Sequence, residues 1–211
     1  MADQRSVAAP STRAERLVGN WVYGGALAGV MLLGLTPVLT QGWSAAEVLV
    51  FLALPVYMIH QYEEHDDDRF RRFMNLTMAG GRDAMTPLAV FVINIFGVWL
   101  PLSLCIVLMR GNGPGLGAFA GWLLVVNALL HVVTALHSRS YNPGLITAVL
   151  LFIPLGAAVL ASIWTAASAL QIVTALVLAV AVHAAIMIHM KRRIASLHVT
   201  HLEEGGQHGR I

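Results

Sequence analysis

Six apolar runs, each close to twenty residues long, dominate the sequence and leave few folds open to it. They cover residues 19–40, 44–62, 87–109, 116–137, 144–165 and 170–190. A helix needs about 20 apolar residues to cross the hydrocarbon core of a bilayer, and backbone groups in lipid must hydrogen-bond within their own segment. The alternating pattern of a transmembrane barrel is absent. The sequence therefore predicts an all-α polytopic membrane protein with six transmembrane helices in one bundle.

The amino-acid composition supports this class. Charged residues make up 11% of the 211 positions and hydrophobic residues 57%, whereas a soluble domain carries about 25% charged residues. A water-soluble enzyme and a disordered chain are both disfavoured, and a formal net charge of +2 gives no indication of nucleic-acid binding. The single cysteine, Cys105, rules out an intramolecular disulfide and any CxxC motif for zinc or redox chemistry.

The distribution of basic residues predicts the orientation. If six helices alternate in direction, one side of the membrane receives both termini and the connections 63–86 and 138–143. That side collects twelve of the 13 Lys and Arg residues, and the other side receives only Arg110. The positive-inside rule then places both termini in the cytoplasm. We expect a tail at 1–18, the transmembrane domain at 19–190 and a second tail at 191–211, in the cell (cytoplasmic) membrane.

The connection after the second helix has a pattern of its own. Phe70, Phe73, Met74 and Thr77 recur at helical spacing, opposite three arginines. This pattern is typical of a short amphipathic helix in the membrane interface, and an ordinary charged loop fits it equally well.

Polar side chains within the predicted spans are few, and several of them share one depth. They are His60, Glu63, Glu64, Asn94, Asn127, His131 and His183. Counted from the cytoplasmic ends of their helices, Asn94 and the three histidines lie five to eight residues in, which is roughly 7–12 Å below one surface. Ionisable groups at membrane depth are expensive and mark functional sites. We therefore expect a single site in the cytoplasmic half of the bundle.

The residue types in this layer are typical of a metal site. Residues at i, i+3 and i+4 share a helix face, so His60 is expected to ligate together with Glu63, Glu64 or both. His131 offers a ligand from a facing helix, and His183 is a further candidate. Imidazole with carboxylate suits Zn, Fe, Mn or Cu, whereas a sulfur-rich site would need thiolates.

Three further residues are predicted to support the site. Asn94 and Asn127 would orient ligands or bind substrate, and Tyr141 lies near the mouth of the layer. A purely structural role is also open for two of the histidines. His131 could hydrogen-bond Asn94 as a link between helices, and His60 could interact with the dipole of its own helix.

Three motifs, in this order, resemble the HXXEE domain family of membrane proteins. They are His60-Gln61-Tyr62-Glu63-Glu64, His131 in Asn127-x-x-x-His131, and Tyr141-Asn142-Pro143-Gly144. The resemblance spans residues 60–150 approximately and implies a shared site more than a known reaction. Some members of the family are associated with oxidative steps in the biosynthesis of small nitrogen-containing natural products. The resemblance thus implies oxidation of a nitrogen-containing substrate, including N–N bonds.

The leading functional hypothesis is a metal-dependent membrane oxidoreductase that faces the cytoplasm. It would use one or two non-haem iron ions, or copper, held by His60, Glu63, Glu64, His131 and, as a weaker candidate, His183. The two glutamates are the expected catalytic residues. The expected partners are membrane lipid, a small-molecule substrate and a redox partner.

Two other functional classes are open at this point. In a zinc hydrolase, Glu63 or Glu64 would act as general base to a zinc-bound water. Glu63-Glu64 followed by Arg69 is similar to the glutamate-pair membrane proteases of the prenyl-protein processing type, with the arginine one residue further along. In a small transporter or proton relay, the same layer would serve as a proton path, but the outer halves of the spans are nearly free of ionisable groups.

Overall fold

The computed structural model describes residues 12–208. Over these residues the chain forms seven α-helices, two short 3-10 helices at Asp66–Asp68 and Pro114–Gly117, and no strand. The helices are α1 (Arg13–Leu39), α2 (Ala45–His65), α3 (Arg69–Ala79), α4 (Pro87–Asn112), α5 (Ala118–Ser138), α6 (Leu145–Ile163) and α7 (Ala169–His208). Wider π-helical turns occur inside α4 at Ile95–Trp99 and inside α6 at Ala148–Phe152.

All of these helices except α3 are long and apolar enough to cross a membrane. The chain is therefore a multi-pass membrane protein, and both the all-α class and the six predicted spans are confirmed. Most span limits agree with the prediction to within a few residues. The second span, for example, is predicted at 44–62 and observed at Ala45–His65.

The last helix is longer than its predicted span. The apolar run ends at residue 190, but α7 continues to His208 through the segment predicted to be a tail. The first residues beyond the run, Lys191, Arg192 and Arg193, are good helix formers, so the helix has no reason to end where the apolar stretch ends. At the other terminus, α1 begins at Arg13, inside the predicted tail 1–18. Residues 1–11 of that tail lie outside the described residues.

Side chains at the helix starts explain where several loops end. Three helices begin with a capping box. The hydroxyl of the capping residue accepts a hydrogen bond from the backbone N–H three positions later. The side chain at that later position accepts a hydrogen bond from the backbone N–H of the capping residue. The pairs are Thr12–Glu15 for α1, Ser44–Glu47 for α2 and Ser168–Gln171 for α7. Thr86 caps α4 with its hydroxyl, and Pro87 follows at the first helical position, where its missing N–H costs nothing.

Helix α2 lies at the centre of the bundle, in contact with α1, α4, α5 and α6. It meets α1 closely at Gly29, where a Cβ atom would lie 2.9 Å from the Pro55 carbonyl oxygen. Small residues permit such close approach between helices in a membrane. Four polar residues near the end of α2, namely His60, Gln61, Glu64 and His65, are buried within the bundle.

Contacts at the two ends of the bundle show how the helices alternate. At one end, Arg110 of α4 lies 3.7 Å from Glu47 and 4.0 Å above the Trp43 ring, near the start of α2. At the other end, the last turn of α2 meets the start of α6, where Glu63 accepts a hydrogen bond from the Thr147 amide at 2.7 Å. We call this second end, which carries α3, the arginine-rich end.

Helix α3 is the predicted amphipathic helix. Met74 on its apolar face is buried against Trp21 of α1 and Met190 of α7. On its polar face, Arg71 donates to Asp68 at 2.6 Å. Helix α3 therefore packs across the arginine-rich end, above the polar residues of α2.

Candidate metal centre

Three of the predicted ligands meet near the arginine-rich end of the bundle. His60 Nε2 lies 3.5 Å from Glu64 Oε2, and His131 Nε2 lies 3.6 Å from Glu64 Oε1. The two histidine rings are 5.1 Å apart at their centroids. One ligand atom from each of the three residues lies within 4.8 Å of the other two, so His60, Glu64 and His131 form a cluster that could hold a metal ion.

This cluster is deeply buried. His60 is 0% exposed, Glu64 6% and His131 7%. The His60 ring packs against Phe152 at 4.2 Å and Tyr57 at 5.7 Å between centroids. A carboxylate in such surroundings is costly unless a cation or a metal compensates its charge, and a divalent ion held by the cluster would supply that compensation.

Hydrogen bonds on the far side of the His60 ring fix its orientation. Thr147 Oγ1 donates to Glu63 Oε2 at 2.5 Å, and His60 Nδ1 lies 2.8 Å from the same hydroxyl oxygen. Because the hydroxyl proton points to Glu63, we assign the proton of this contact to His60 Nδ1. The Nε2 atom of the neutral ring then carries a lone pair. It is buried and has no hydrogen-bond partner among residues 12–208, which is the condition expected of a metal ligand.

The ring of His131 is fixed by Asn142. His131 Nδ1 lies 2.7 Å from Asn142 Oδ1, and Asn142 Nδ2 donates to the His131 carbonyl oxygen at 2.9 Å. An amide oxygen can only accept, so the ring proton belongs on Nδ1 and the Nε2 lone pair faces Glu64. A hydrogen bond from the other ring nitrogen is the usual support of a metal-bound histidine.

The donor set therefore fits a transition metal. Two imidazole Nε2 atoms and one carboxylate are ligands of zinc at about 2.0–2.2 Å, and the same combination occurs at non-haem iron sites with open positions. His60 and Glu64 come from consecutive turns of α2, and His131 comes from α5.

Gly144 closes the turn between α5 and α6 directly against the cluster. Its φ angle is +96°, a conformation that only glycine adopts readily. A Cβ atom there would lie 2.7 Å from His131 Cε1 and 2.9 Å from His60 Cε1. The turn can approach both rings because this position has no side chain.

A second polar network joins α2 to α4 beside the cluster. His65 Nε2 lies 3.2 Å from Glu64 Oε2 and 3.3 Å from Asn94 Nδ2. Gln61 Nε2 donates to Asn94 Oδ1 at 2.7 Å, and Trp99 Nε1 donates to Gln61 Oε1 at 2.5 Å. Through His65, these contacts link Glu64 to Asn94 of α4.

Glu63 does not join the cluster. Its carboxylate accepts from Tyr141 Oη at 2.8 Å, from the Ile146 amide at 3.1 Å and from the amide and hydroxyl of Thr147. It thus lies at the N-terminus of α6, where helix dipole and free amides favour a negative charge. Successive residues of a helix differ in direction by about 100°, so Glu63 and Glu64 cannot both face His131.

The remaining predicted residues lie near the cluster without joining it. His183 Nδ1 is 2.8 Å from the Ala179 carbonyl oxygen of its own helix. Asn127 donates to Tyr57 Oη at 2.9 Å. Tyr141 reaches the site only through Glu63; burial and the Glu63 carboxylate raise the pKa of its phenol, which keeps the O–H group available as a donor.

A cavity of about 680 Å³ lies beside the cluster, between α3, α4, α5 and α7. Glu64 and His131 are on its wall, together with Asn127 and His183. An ion held by the cluster would therefore face a space large enough for a small molecule.

A comparison with protein families identifies the family of this chain. The family described as "Protein of unknown function with HXXEE motif" matches residues 51–159, half of the chain. The chain belongs to the HXXEE family. The matched region of this HXXEE protein runs from α2 into α6 and contains His60, Glu64 and His131 together with Thr147 and Asn142. No curated protein and no solved structure matches the chain.

The charged and histidine residues of the HXXEE motif have two structural roles. His60 and Glu64 belong to the cluster, while Glu63 holds the Thr147 hydroxyl that orients His60. Thr147, Asn142, His65 and Gln61 were not among the predicted site residues. Asn142 and Gln61 lie inside the recognised motifs, so motif position was the signal that could have identified these two.

Proposed function

We propose that this HXXEE protein is a metal-dependent membrane oxidoreductase that oxidises a small molecule at a single iron ion held by His60, Glu64 and His131. The convergence of two imidazole nitrogens and one carboxylate, two of whose residues, Glu64 and His131, line the cavity, supports this proposal. A set of two histidines and one carboxylate with open positions is typical of non-haem iron oxygenases. Copper and zinc accept the same ligands and are alternatives that metal analysis distinguishes.

When bound, iron in such a site activates dioxygen, which then takes up the electrons that the substrate loses. The residues of the chain itself hold the ligands in place and exclude water. Thr147 and Asn142 hold the two rings in the ligating tautomer, and the apolar cavity keeps water away from the reacting atoms. Asn127 and His183 face the cavity and would contact the substrate.

The substrate proposed here is a nitrogen-containing molecule with an oxidisable N–N group, which is the substrate class that the family resemblance implies. The basic residues support a site that opens towards the cytoplasm, because the cluster lies at the arginine-rich end. A redox partner and the surrounding lipid belong to the same proposal.

The hydrolase hypothesis receives less support. A zinc hydrolase with Glu64 as ligand would need a second carboxylate as general base near the metal. Glu63, the candidate for that role, has its oxygens occupied by hydrogen bonds from Tyr141, Ile146 and Thr147. The proton-relay hypothesis is also weaker, because the ionisable pair described at the opposite end, Glu47 and Arg110, lies far along the helices from the cluster.

Metal analysis of the purified protein tests the proposal. Protein isolated in lipid nanodiscs from iron-supplemented cells is expected to contain one iron per chain and to consume dioxygen with a hydrazine-type substrate. His60→Ala and His131→Ala should each lose the metal, whereas His189→Ala, on the exposed side of α7, should keep it. Full metal retention in both cluster variants would overturn the site. Stoichiometric zinc with no dioxygen consumption would overturn the oxidoreductase.

A further inference from the structure

The cavity beside the cluster extends well beyond it in both directions along the bundle. On α5 its wall runs from Val126 to Ser138, a rise of about 18 Å, and His131 lies between these two residues. A substrate that only needed to reach the metal would use a small part of this length.

The chemistry of the wall changes along the cavity. Beside Glu64 and His131 it carries polar groups, among them Asn127, Asn142 and His183. Towards the middle of the bundle the wall is apolar and is formed by Val98, Val126 and Val180. Towards the arginine-rich end, Phe70, Phe73 and Met74 of α3 form an apolar wall opposite Thr134, His137 and Ser138 of α5.

One atom of the polar zone has no partner. Asn127 donates its amide hydrogen to Tyr57, but its Oδ1 atom is buried and accepts no hydrogen bond from the described residues. An unsatisfied buried acceptor is costly. Asn127 lines the cavity, so a small shift of its side chain would let a ligand with an N–H or O–H group satisfy this acceptor.

The cavity also reaches the side of the bundle. Leu130 on α5 and Met187 on α7 both line it, and they are 46% and 36% exposed. Both lie within membrane-spanning segments, where the surface of the protein faces lipid. These positions indicate an entrance from the bilayer, which only a lipophilic molecule would use efficiently.

We infer that the cavity binds a single-chain lipophilic molecule whose polar head carries an N–H or O–H group. The head hydrogen-bonds Asn127 beside the cluster, and the alkyl chain lies along the apolar wall. The volume of about 680 Å³ falls within the range of pockets for one small ligand, roughly 300–1,000 Å³, which favours one chain over a two-chain membrane lipid. The inference that this molecule is the substrate rests on the proposed function. The inference that the cavity binds it does not.

Photolabelling tests the binding directly. The probe is 1-dodecanol with a diazirine near the end of the chain, applied to the protein in nanodiscs and mapped by peptide mass spectrometry. Labelling is expected on α4 and α5 at wall positions such as Ile93 and Val126, with competition by unlabelled 1-dodecanol and none by 1-butanol. Labelling confined to lipid-facing positions, or displaced by added phospholipid but not by dodecanol, would overturn the inference.

Matched substitutions locate the chain within the cavity. Ala184 and its neighbour Ala185 are both exposed, but only Ala184 lines the cavity. Ala184→Phe should abolish protected labelling and Ala185→Phe should leave it unchanged. The same comparison is made on α5. Val126→Phe should abolish protected labelling, and the control Val133→Phe should leave it unchanged. Equal labelling of the cavity and control variants, in folded protein, would contradict the proposed position.

The Asn127 contact has its own test. Dodecanol should compete about fivefold better than methyl dodecyl ether, which lacks the O–H donor, as expected for one neutral hydrogen bond. Asn127→Ala should remove this difference. Equal competition by alcohol and ether in the wild type would overturn the role of Asn127.

Metal content measured in the same samples separates this inference from the proposed function. His60→Ala, which lacks a ligand but leaves the cavity wall intact, should still show protected labelling. Protected labelling of a wild type that contains no metal would overturn the proposed function alone. A wild type that contains metal but shows no protected labelling would overturn the inference alone.

Discussion

Glu63 and His60 bind the same hydroxyl group, that of Thr147. The oxygen lies 2.5 Å from Glu63 Oε2 and 2.8 Å from His60 Nδ1. The two glutamates of the motif therefore have different tasks. Glu64 faces the candidate metal position, and Glu63 determines, through Thr147, which nitrogen of His60 carries the proton.

Removal of the Thr147 hydroxyl should weaken metal binding without removing a ligand. In Thr147→Val, His60 loses the acceptor for its Nδ1 proton, so both tautomers and several ring orientations become accessible. Loss of such a supporting contact typically lowers metal affinity by about 10–100-fold. A titration against a chelator of known affinity measures this change.

Thr147→Ser provides the control for the hydroxyl, because it keeps the oxygen and removes only a methyl group. Its affinity should stay close to that of the wild type. If Thr147→Val and Thr147→Ser bind metal equally well, the contact between Thr147 and His60 has no part in the site.

Asn142 should matter for His131 in the same way. Asn142→Ala removes the acceptor 2.7 Å from His131 Nδ1, and we expect metal affinity to fall by about 10–100-fold. Asn142→Asp retains an oxygen for the ring proton and should bind metal more tightly than the alanine variant. The chelator titration compares the two, and an alanine variant with wild-type affinity would contradict the assigned tautomer.

Gly144 should be intolerant of any side chain. In Gly144→Ala the new methyl group would meet carbon atoms of both histidine rings at 2.7 and 2.9 Å, so the rings or the turn must move. The metal affinity of the variant should fall by at least about tenfold, as it does on the loss of a supporting contact. The metal content of the purified variant should fall sharply as a result.

The variant Gly113→Ala distinguishes the effect of this contact from the effect of backbone strain. Gly113 also has a positive φ, +105°, but nothing lies within 4 Å of its Cβ position. Both variants should lose stability because of the φ angle, and only Gly144→Ala should lose metal. Equal metal content in the two variants would show that the turn does not shape the cluster.

The sequence predicts the fold and the core of the site more readily than the contacts that support it. The six spans follow from the lengths of the apolar runs, and the pair His60–Glu64 follows from the four-residue spacing on one face of α2. His131 follows from its depth in the membrane. Depth and spacing are properties of single helices, and the sequence contains them directly.

The spacing of residues along one helix does not show how that helix is rotated relative to its neighbours. Glu63 and Glu64 are both compatible with a site near His60, and the packing of α6 against α2 decides that Glu63 binds Thr147 instead. Thr147 itself resembles any threonine in an apolar run. The end of α7 has a different cause: hydropathy predicts the end of the sixth span at residue 190, where the apolar stretch ends, whereas the helix propensity of the following residues continues the helix to His208.

We interpret His183 as a residue of the cavity wall and not as a metal ligand. Its Nδ1 atom is 2.8 Å from the Ala179 carbonyl oxygen, and the side chain lines the cavity beside the cluster. His183→Ala should therefore keep its full metal content while dioxygen consumption with substrate falls, because a contact with the substrate is lost. Elemental analysis and an oxygen electrode measure the two quantities on one sample. Loss of metal to the extent seen in His131→Ala would instead make His183 a fourth ligand.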